Sequence, residues 1–262
     1  MPSREELNWT FDTAVSVYEK MRPGYADALY REIFDYIPIN PSSNVVEVGI
    51  GTGQATVPIL ATGCELTAVE YGESLADQCR IKFKDYPNFS VITGKFEDVI
   101  LKQDSCDLVF SATAFHWIPE KQGYTKVHSI LKHGGVFARF ANHPYPAKDD
   151  PLLREEIDGL YATYYNNGKK KALTEYSEDQ ARALAEIASQ YGFADVRYEM
   201  FYRVRTFTAK EYVALLATYS DHIALDKPVR VEFFSRIEAA INRHGGSIHI
   251  YDTMDLQLAR KV

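Results

Sequence analysis

Between Asn44 and Phe140, short apolar runs take turns with stretches of helical spacing, and few folds accept that pattern. Val45–Val48, Glu65–Val69, Phe89–Ile92, Asp107–Ser111 and Gly135–Ala141 read as strands. Gln54–Ala61, Ser74–Asp85 and Glu120–Leu131 read as the helices between them. In the last of these, Tyr124, Val127 and Leu131 recur on one face, and Gly134 with Gly135 follows as a stop. Parallel neighbours cannot be joined by a hairpin, so strands linked by helices of this length imply a parallel sheet with right-handed crossovers. The expected fold is α/β: a Rossmann-like, mostly parallel, seven-stranded sheet flanked by helices.

The texture changes after Ala141. "NHPYPAKDDP" reads as a loop. Helices are expected over Leu152–Asn166 and Ser177–Tyr191, the second with capping-box spacing at Ser177 and Gln180 and a stop at Gly192. Asp195–Phe207 reads as a strand, Thr208 with Glu211 opens another helix, and Val229–Arg243 forms one more before Gly245 and Gly246. Ile248–Leu258 is the final strand. Both late strands can join the same sheet, which brings the expected total to seven. The run Lys169–Lys171 reads as a solvated turn.

The chain has 262 residues, 46% of them hydrophobic, enough to bury a large core. Its net charge of -7 argues against a generic nucleic-acid or anionic-membrane surface, since both need basic patches. A local arginine is still enough to hold a small acidic substrate. Cys64, Cys79 and Cys106 are odd in number and form no C-x-x-C, so neither a disulfide framework nor a metal site is expected. The N-terminal sequence lacks an apolar signal core and no apolar run approaches a membrane span, so the expected location is cytoplasmic. The oligomeric state is not legible.

The turn after the first strand, "VVEVGIGTG", carries the chemistry. In open parallel sheets ligands bind beyond the carboxyl ends of the strands, where strand order reverses. The dinucleotide pattern G-x-G-x-x-G fails in both registers: from Gly49 its third glycine falls on Gln54, and from Gly51 it falls on Thr56. The pattern present is E-x-G-x-G-x-G. Glu47 is a poor neighbour for a pyrophosphate, since like charges a few ångströms apart cost about 4 kcal/mol at an effective dielectric near 20. A cationic ligand reverses that sign, and S-adenosylmethionine carries a sulfonium and an ammonium. Glu70 ends the second strand, where a carboxylate can accept from both ribose hydroxyls. Glu70 points to an adenosine, and the turn with Glu47 selects which adenosine cofactor.

"VVEVGIGTG", "AVEYGESL", "SVITGKFEDV", "DLVFSATAFHWI" and "ILKHGGVFARF" resemble, in order, the motifs of class I S-adenosylmethionine-dependent methyltransferases. "YEKMRPGY" and "FHW" resemble the small-molecule branch that includes trans-aconitate methyltransferase-like proteins (methyltransferase type 11). The resemblance implies one domain over 1–262, with a core of 23–141, 193–207 and 247–262. Lid and acceptor elements would come from the inserted segments 1–22, 142–192 and 208–246. It implies S-adenosylmethionine as cofactor and S-adenosylhomocysteine as product. Glu47, Gly49, Gly51 and Gly53 would line the methionine moiety, with Ser111 beside it. Glu70 would hold the ribose, Tyr71 would pack beside the adenine, and Phe96 and Glu97 would frame its edge. Tyr18 and Arg22 would close over the carboxylate end. Lys95 stands where relatives carry an acid that binds the adenine amino group, which leaves that role to Glu97 or to the backbone. His133 replaces a usual proline in a turn.

On the acceptor side, a positioned nucleophile needs a base only if it is protonated at working pH. Candidates are Phe115, His116 and Trp117, with Asn142, His143 and Tyr145 after the fifth strand. His116 is a candidate base, with pocket packing as its competing role. Tyr219 and His222 could point into the acceptor site, and Tyr161 and Tyr165 share a helical face. The branch resemblance suggests O-methylation of a small carboxylic acid, with Arg139 preferred over Arg203 and Arg205 as its cationic partner. The partner implied is a small molecule, with no nucleic acid and no membrane. A non-catalytic cofactor-binding protein and a nicotinamide-dependent oxidoreductase are the competing readings.

Overall fold

The structure, a computed structural model, describes residues 24–165, 173–219, 222 and 224–262. Tyr18, Arg22, the expected lid segment 1–22 and Lys169–Lys171 lie outside the described residues.

The strands are β1 (Asn44–Val48), β2 (Glu65–Glu70), β3 (Phe89–Thr93), β4 (Cys106–Ala112), β5 (Leu131–Pro146), β6 (Phe193–Thr208) and β7 (Ser247–Lys261). They form one seven-stranded sheet in the order β3-β2-β1-β4-β5-β7-β6. The pairs β1–β2, β2–β3, β1–β4 and β4–β5 are all parallel. The chain therefore builds outward from β1 to β3, then returns to the other side of β1. That reversal leaves a crevice beyond Val48 and Ala112.

The chain divides into two compact units, and three of the boundaries between them fall inside β5, β6 and β7. One unit comprises 24–143, 176–201 and 253–262. It holds an apolar cluster on each face of the sheet. On one face Val45, Leu66, Leu108, Phe110, Ala138 and Phe140 meet Leu29, Tyr30 and Ile33 of α1 (Asp27–Tyr36). On the other, Val46, Val48, Val109 and Phe137 meet Tyr124, Val127 and Ile130 of α4 (Glu120–Ile130). A strand buried on both faces needs no polar alternation, which is why β1 and β4 read as mostly apolar runs without it. Two further helices, α2 (Thr56–Leu60) and α3 (Glu73–Lys82), follow β1 and β2.

The second unit contains 144–175 and 202–252. Its own core joins Leu153 and Ile157 of α5 (Pro151–Tyr164), Tyr212 and Leu215 of α7 (Ala209–Leu216), and Phe233, Ile237 and Ile241 of α8 (Lys227–Arg243). The division differs from the expected core and lid. Residues 176–192, with α6 (Glu178–Glu186), group with the sheet unit, and 202–207 and 247–252 group with the second unit. Both capping boxes form, at Ser177–Gln180 and at Thr208–Glu211. Gly192 ends its helix in the left-handed region. Among the described residues no helix is long and apolar enough to cross a membrane.

The main departure from the sequence reading is β5, expected over Gly135–Ala141 and observed over Leu131–Pro146. Leu131 is its first residue, paired with Cys106, so it belongs to the strand and not to the preceding helix. The two glycines lie within the strand, and they do not act as a helix stop. A Cβ on Gly135 would stand 2.9 Å from the Cys106 carbonyl oxygen, and the register shifts there, between Cys106 and Leu108. At the other end the Ala147 N–H donates to the His249 carbonyl at 2.8 Å. Backbone pairing outweighs the loop-like composition of "NHPYP", so Asn142, His143 and Tyr145 lie in the strand, not after it.

Candidate active site

The glycine turn is held from both sides. Gly49 N–H donates to Val69 O at 2.8 Å, and Gly51 N–H donates to Glu70 Oε2 at 2.9 Å. The other carboxylate oxygen of Glu70 accepts from Gly72 N–H at 2.9 Å. Glu70 thus ties the turns after β1 and β2 together. A carboxylate offers about four lone-pair positions and two are used here, so two remain for a diol. All three turn glycines have positive φ. A Cβ at Gly49 would collide with the Ala114 methyl, and one at Gly53 would stand 2.6 Å from the Phe83 ring. A Cβ at Gly51 meets nothing within 4 Å. Packing and backbone angle both require glycine at the outer two positions. At Gly51 only the angle does, and the space beside it is open for a ligand to reach the backbone.

Glu47 is 1% exposed and accepts a hydrogen bond from the Thr56 hydroxyl at 2.8 Å. Burial, with a smaller push from Glu70, raises its pKa to about 8 against the opposing Thr56 bond. The buried acid is therefore mostly neutral at pH 7, and a cation placed beside it would favour its ionisation. Ser111, fully buried, donates to the Val48 carbonyl at 2.9 Å and braces β4 against β1. Tyr71 is 71% exposed with the Lys95 ammonium 5.8 Å from its ring centroid, so Lys95 meets the tyrosine face. Glu97 is half-buried, but Phe96 is buried in the apolar cluster with Val69.

Beyond β4 the turn residue Ala114 abuts Gly49, and Thr113 N–H donates to the Phe140 carbonyl at 2.8 Å. These contacts link the glycine turn, through the turn after β4, to the middle of β5. Phe115 is buried against Tyr124 and Phe137, so it supports the wall instead of lining an open pocket. His116 and Trp117 are exposed, their ring centroids 4.9 Å apart. Partial burial, then Arg139 and His143, lower the His116 pKa. No carboxylate orients His116 among the described residues.

His143 is different. Its Nε2 lies 2.9 Å from Asp255 Oδ1, and its ring stacks on Tyr176 at 3.7 Å. Asp255 is fully buried; its Oδ2 accepts from the Tyr176 hydroxyl at 3.0 Å and from the Gln257 amide. Burial opposes the charged form of Asp255, but the bonds from His143, Gln257 and Tyr176 outweigh it and hold its pKa below the usual value. Asp255 and Tyr176 escaped the sequence reading, and only the polar residues alternating with apolar ones in "MDLQLA" hinted at the first.

Arg139 is half-buried, with its guanidinium 5.4 Å from the Phe115 ring centroid and one N–H reaching the Tyr124 hydroxyl at 3.3 Å. Among the described residues no carboxylate forms an ion pair with it. Arg203 and Arg205, by contrast, both bind the buried Asp252, at 3.1 Å and 2.8 Å.

Three expected acceptor residues fall in the second unit. There Tyr145 packs under the Arg154 guanidinium. His222 is 4% exposed, bonded to the Tyr161 hydroxyl at 2.9 Å and packed against the rings of Tyr165, Tyr219 and Phe233. Local aromatic packing accounts for His222 and Tyr219 there.

A family model described as a methyltransferase domain matches residues 46–138, the segment that contains the glycine turn, Glu70 and the end of β4. A methyltransferase-like protein of Schizosaccharomyces pombe, itself uncharacterized, is 28% identical over 213 residues, covering 80% of this chain and 77% of that protein. A Saccharomyces cerevisiae protein named "Probable S-adenosylmethionine-dependent methyltransferase CRG1" is 25% identical over 209 residues, covering 75% of this chain and 69% of that one. The fold matches a candidate type II methyltransferase of Anaeromyxobacter dehalogenans with a TM-score of 0.65 at 20% identity, over 91% of this chain and 97% of that one. It also matches a Haemonchus contortus phosphoethanolamine N-methyltransferase, solved with S-adenosyl-L-methionine, with a TM-score of 0.55 at 13% identity, over 95% of this chain and 57% of that one.

Proposed function

We propose that the chain acts as a class I S-adenosylmethionine-dependent methyltransferase, as the matching domain model and the methyltransferase relatives support, and that its acceptor is a small molecule with an anionic group, methylated on a carboxylate oxygen. S-adenosylmethionine supplies a methyl on a sulfonium whose leaving group is a neutral thioether. The protein is left to align the acceptor and exclude competing water. The residues fit that cofactor: an open backbone at Gly51, two spare lone-pair positions on Glu70, and a buried acid, Glu47, that a nearby cation would ionise.

The observation that carries the carboxylate reading is Arg139. A half-buried guanidinium with no ion-pair partner among the described residues is costly unless an anion completes it. A carboxylate is ionised at pH 7 and needs no base, so positioning by Arg139 suffices. Arg139→Met keeps length and apolar contact but removes the charge. It should raise KM for a carboxylate acceptor about 10- to 100-fold, the loss of one charged hydrogen-bonded contact. S-adenosylhomocysteine affinity should be preserved. Steady-state kinetics on a panel of small carboxylic acids checks this, and equal KM in variant and wild type would remove Arg139 from the acceptor site.

A further inference from the structure

We propose that the same site carries a second activity: methyl transfer to an acceptor hydroxyl, with His143 as the proton-accepting residue and Asp255 as the residue that positions it. The inference rests on the methyltransferase reading of the site but not on the carboxylate reading of the acceptor.

A carboxylate acceptor needs no base, yet the end of β5 holds one in an oriented form. Asp255 is fully buried and accepts three hydrogen bonds, from His143 to one oxygen and from Tyr176 and Gln257 to the other. An ionised aspartate takes the Nε2–H of a neutral imidazole, which leaves Nδ1 as the lone-pair nitrogen. Tyr176 stacks flat on the ring and limits its rotation. Nucleophile activation commonly uses such a base, itself oriented by a third group. His116, the nearer candidate in sequence terms, has no such orienting acid.

Among the described residues, Asp255 faces the imidazole from β7, with Gln257 bound to the other oxygen of that carboxylate, and Tyr176 stacks on the ring from the segment before α6. Arg139 lies on β5 itself, and His116 sits in the turn after β4, close enough for His143 to lower its pKa. Arg139 and His143 are four residues apart on one strand, and therefore on one face. A hydroxy acid could engage both, with its carboxylate on Arg139 and its hydroxyl on Nδ1. In the transfer, the acceptor oxygen forms a bond to the methyl carbon as the carbon–sulfur bond breaks. The acceptor O–H bond breaks and its proton goes to Nδ1. The sulfonium becomes a neutral thioether and His143 becomes an imidazolium, so charge is conserved.

Two measurements test this. In the complex with S-adenosylhomocysteine, nitrogen-15 NMR of histidine-labelled protein should find neutral His143 protonated on Nε2, and Asp255→Asn should weaken that preference. A proton on Nδ1 in the neutral form would overturn the proposal. Separately, a panel of small hydroxy acids with methyl-labelled S-adenosylmethionine distinguishes ether from ester products. Wild type should form ether, with kcat/KM rising with pH through one ionisation. His143→Gln should lower the ether-to-ester ratio about 100-fold and flatten that rise, and Asp255→Asn should shift it. A panel in which no hydroxyl is methylated, or an unchanged ether-to-ester ratio in His143→Gln, overturns the proposal. Ether without any ester would instead overturn the carboxylate reading and leave this one standing.

Discussion

Glu70→Ala is expected to raise the dissociation constant for S-adenosylhomocysteine about 100-fold or more, and to destabilise the free protein as well. The first effect follows from the role proposed for its two remaining lone-pair positions. Two hydrogen bonds from a ribose diol to a carboxylate at about 1.5 kcal/mol each come to roughly 3 kcal/mol. The second follows from the contacts observed. The carboxylate accepts the Gly51 and Gly72 N–H groups, and alanine leaves both without that acceptor. The cost is of order 1–3 kcal/mol, or a fall of roughly 2–12 °C in melting temperature for a chain of this size. A strand-end carboxylate reads from sequence as dispensable for the fold, and the structure gives it a bracing role. Calorimetric titration and thermal melts on the same preparation separate the two effects. Unchanged affinity would remove Glu70 from the cofactor site whatever the melting temperature does.

Glu47→Gln should move stability and binding in opposite directions. Burial raises the Glu47 pKa from 4.5 to about 8. A folded-state pKa above the unfolded value contributes stability that is fully present below pH 4.5 and lost as pH rises through 8. At about 1.4 kcal/mol per pH unit, that window spans an order of 5 kcal/mol. Glutamine keeps an oxygen to accept the Thr56 hydroxyl and has no proton to lose. The variant should therefore be more stable than wild type at pH 8.5 by a few kcal/mol, and the fall in wild-type stability between pH 5 and 8 should be much reduced. S-adenosylmethionine should bind the variant more weakly if, as proposed, an ionised Glu47 pairs with its positive charge. Wild type should release part of a proton on binding near pH 7. Denaturant midpoints across pH, with calorimetry in two buffers of different ionisation enthalpy, check both halves. A variant less stable than wild type at pH 8.5 would contradict the neutral buried acid.

The features read from sequence were those set by local chemistry. The five strand-like runs of the first half, the two capping boxes and the left-handed Gly192 each depend on residues within a few positions of one another. The glycine turn was legible for the same reason. The extension of β5 through Pro146 was not, because its pairing partners come from the far end of the chain. The same distance hid the His143 array: Asp255 meets His143 across 112 positions and Tyr176 across 79. Periodicity carries no signal for contacts of that kind. Ser111 and Phe96 were located at the right strand ends, but only burial shows that Ser111 braces a neighbouring strand and that Phe96 fills the core.

Thermal melts of the unmodified protein with S-adenosylhomocysteine, S-adenosylmethionine and NAD in parallel probe the cofactor assignment with the fewest intermediate steps. At a hundredfold excess over Kd, either adenosyl ligand should stabilise the fold by about 2.7 kcal/mol, a rise of roughly 5–11 °C for a chain of this size. NAD should give no shift, since its pyrophosphate would face the acid behind an E-x-G-x-G-x-G turn. A clear shift with NAD and none with either adenosyl ligand would contradict the assignment of this site to S-adenosylmethionine.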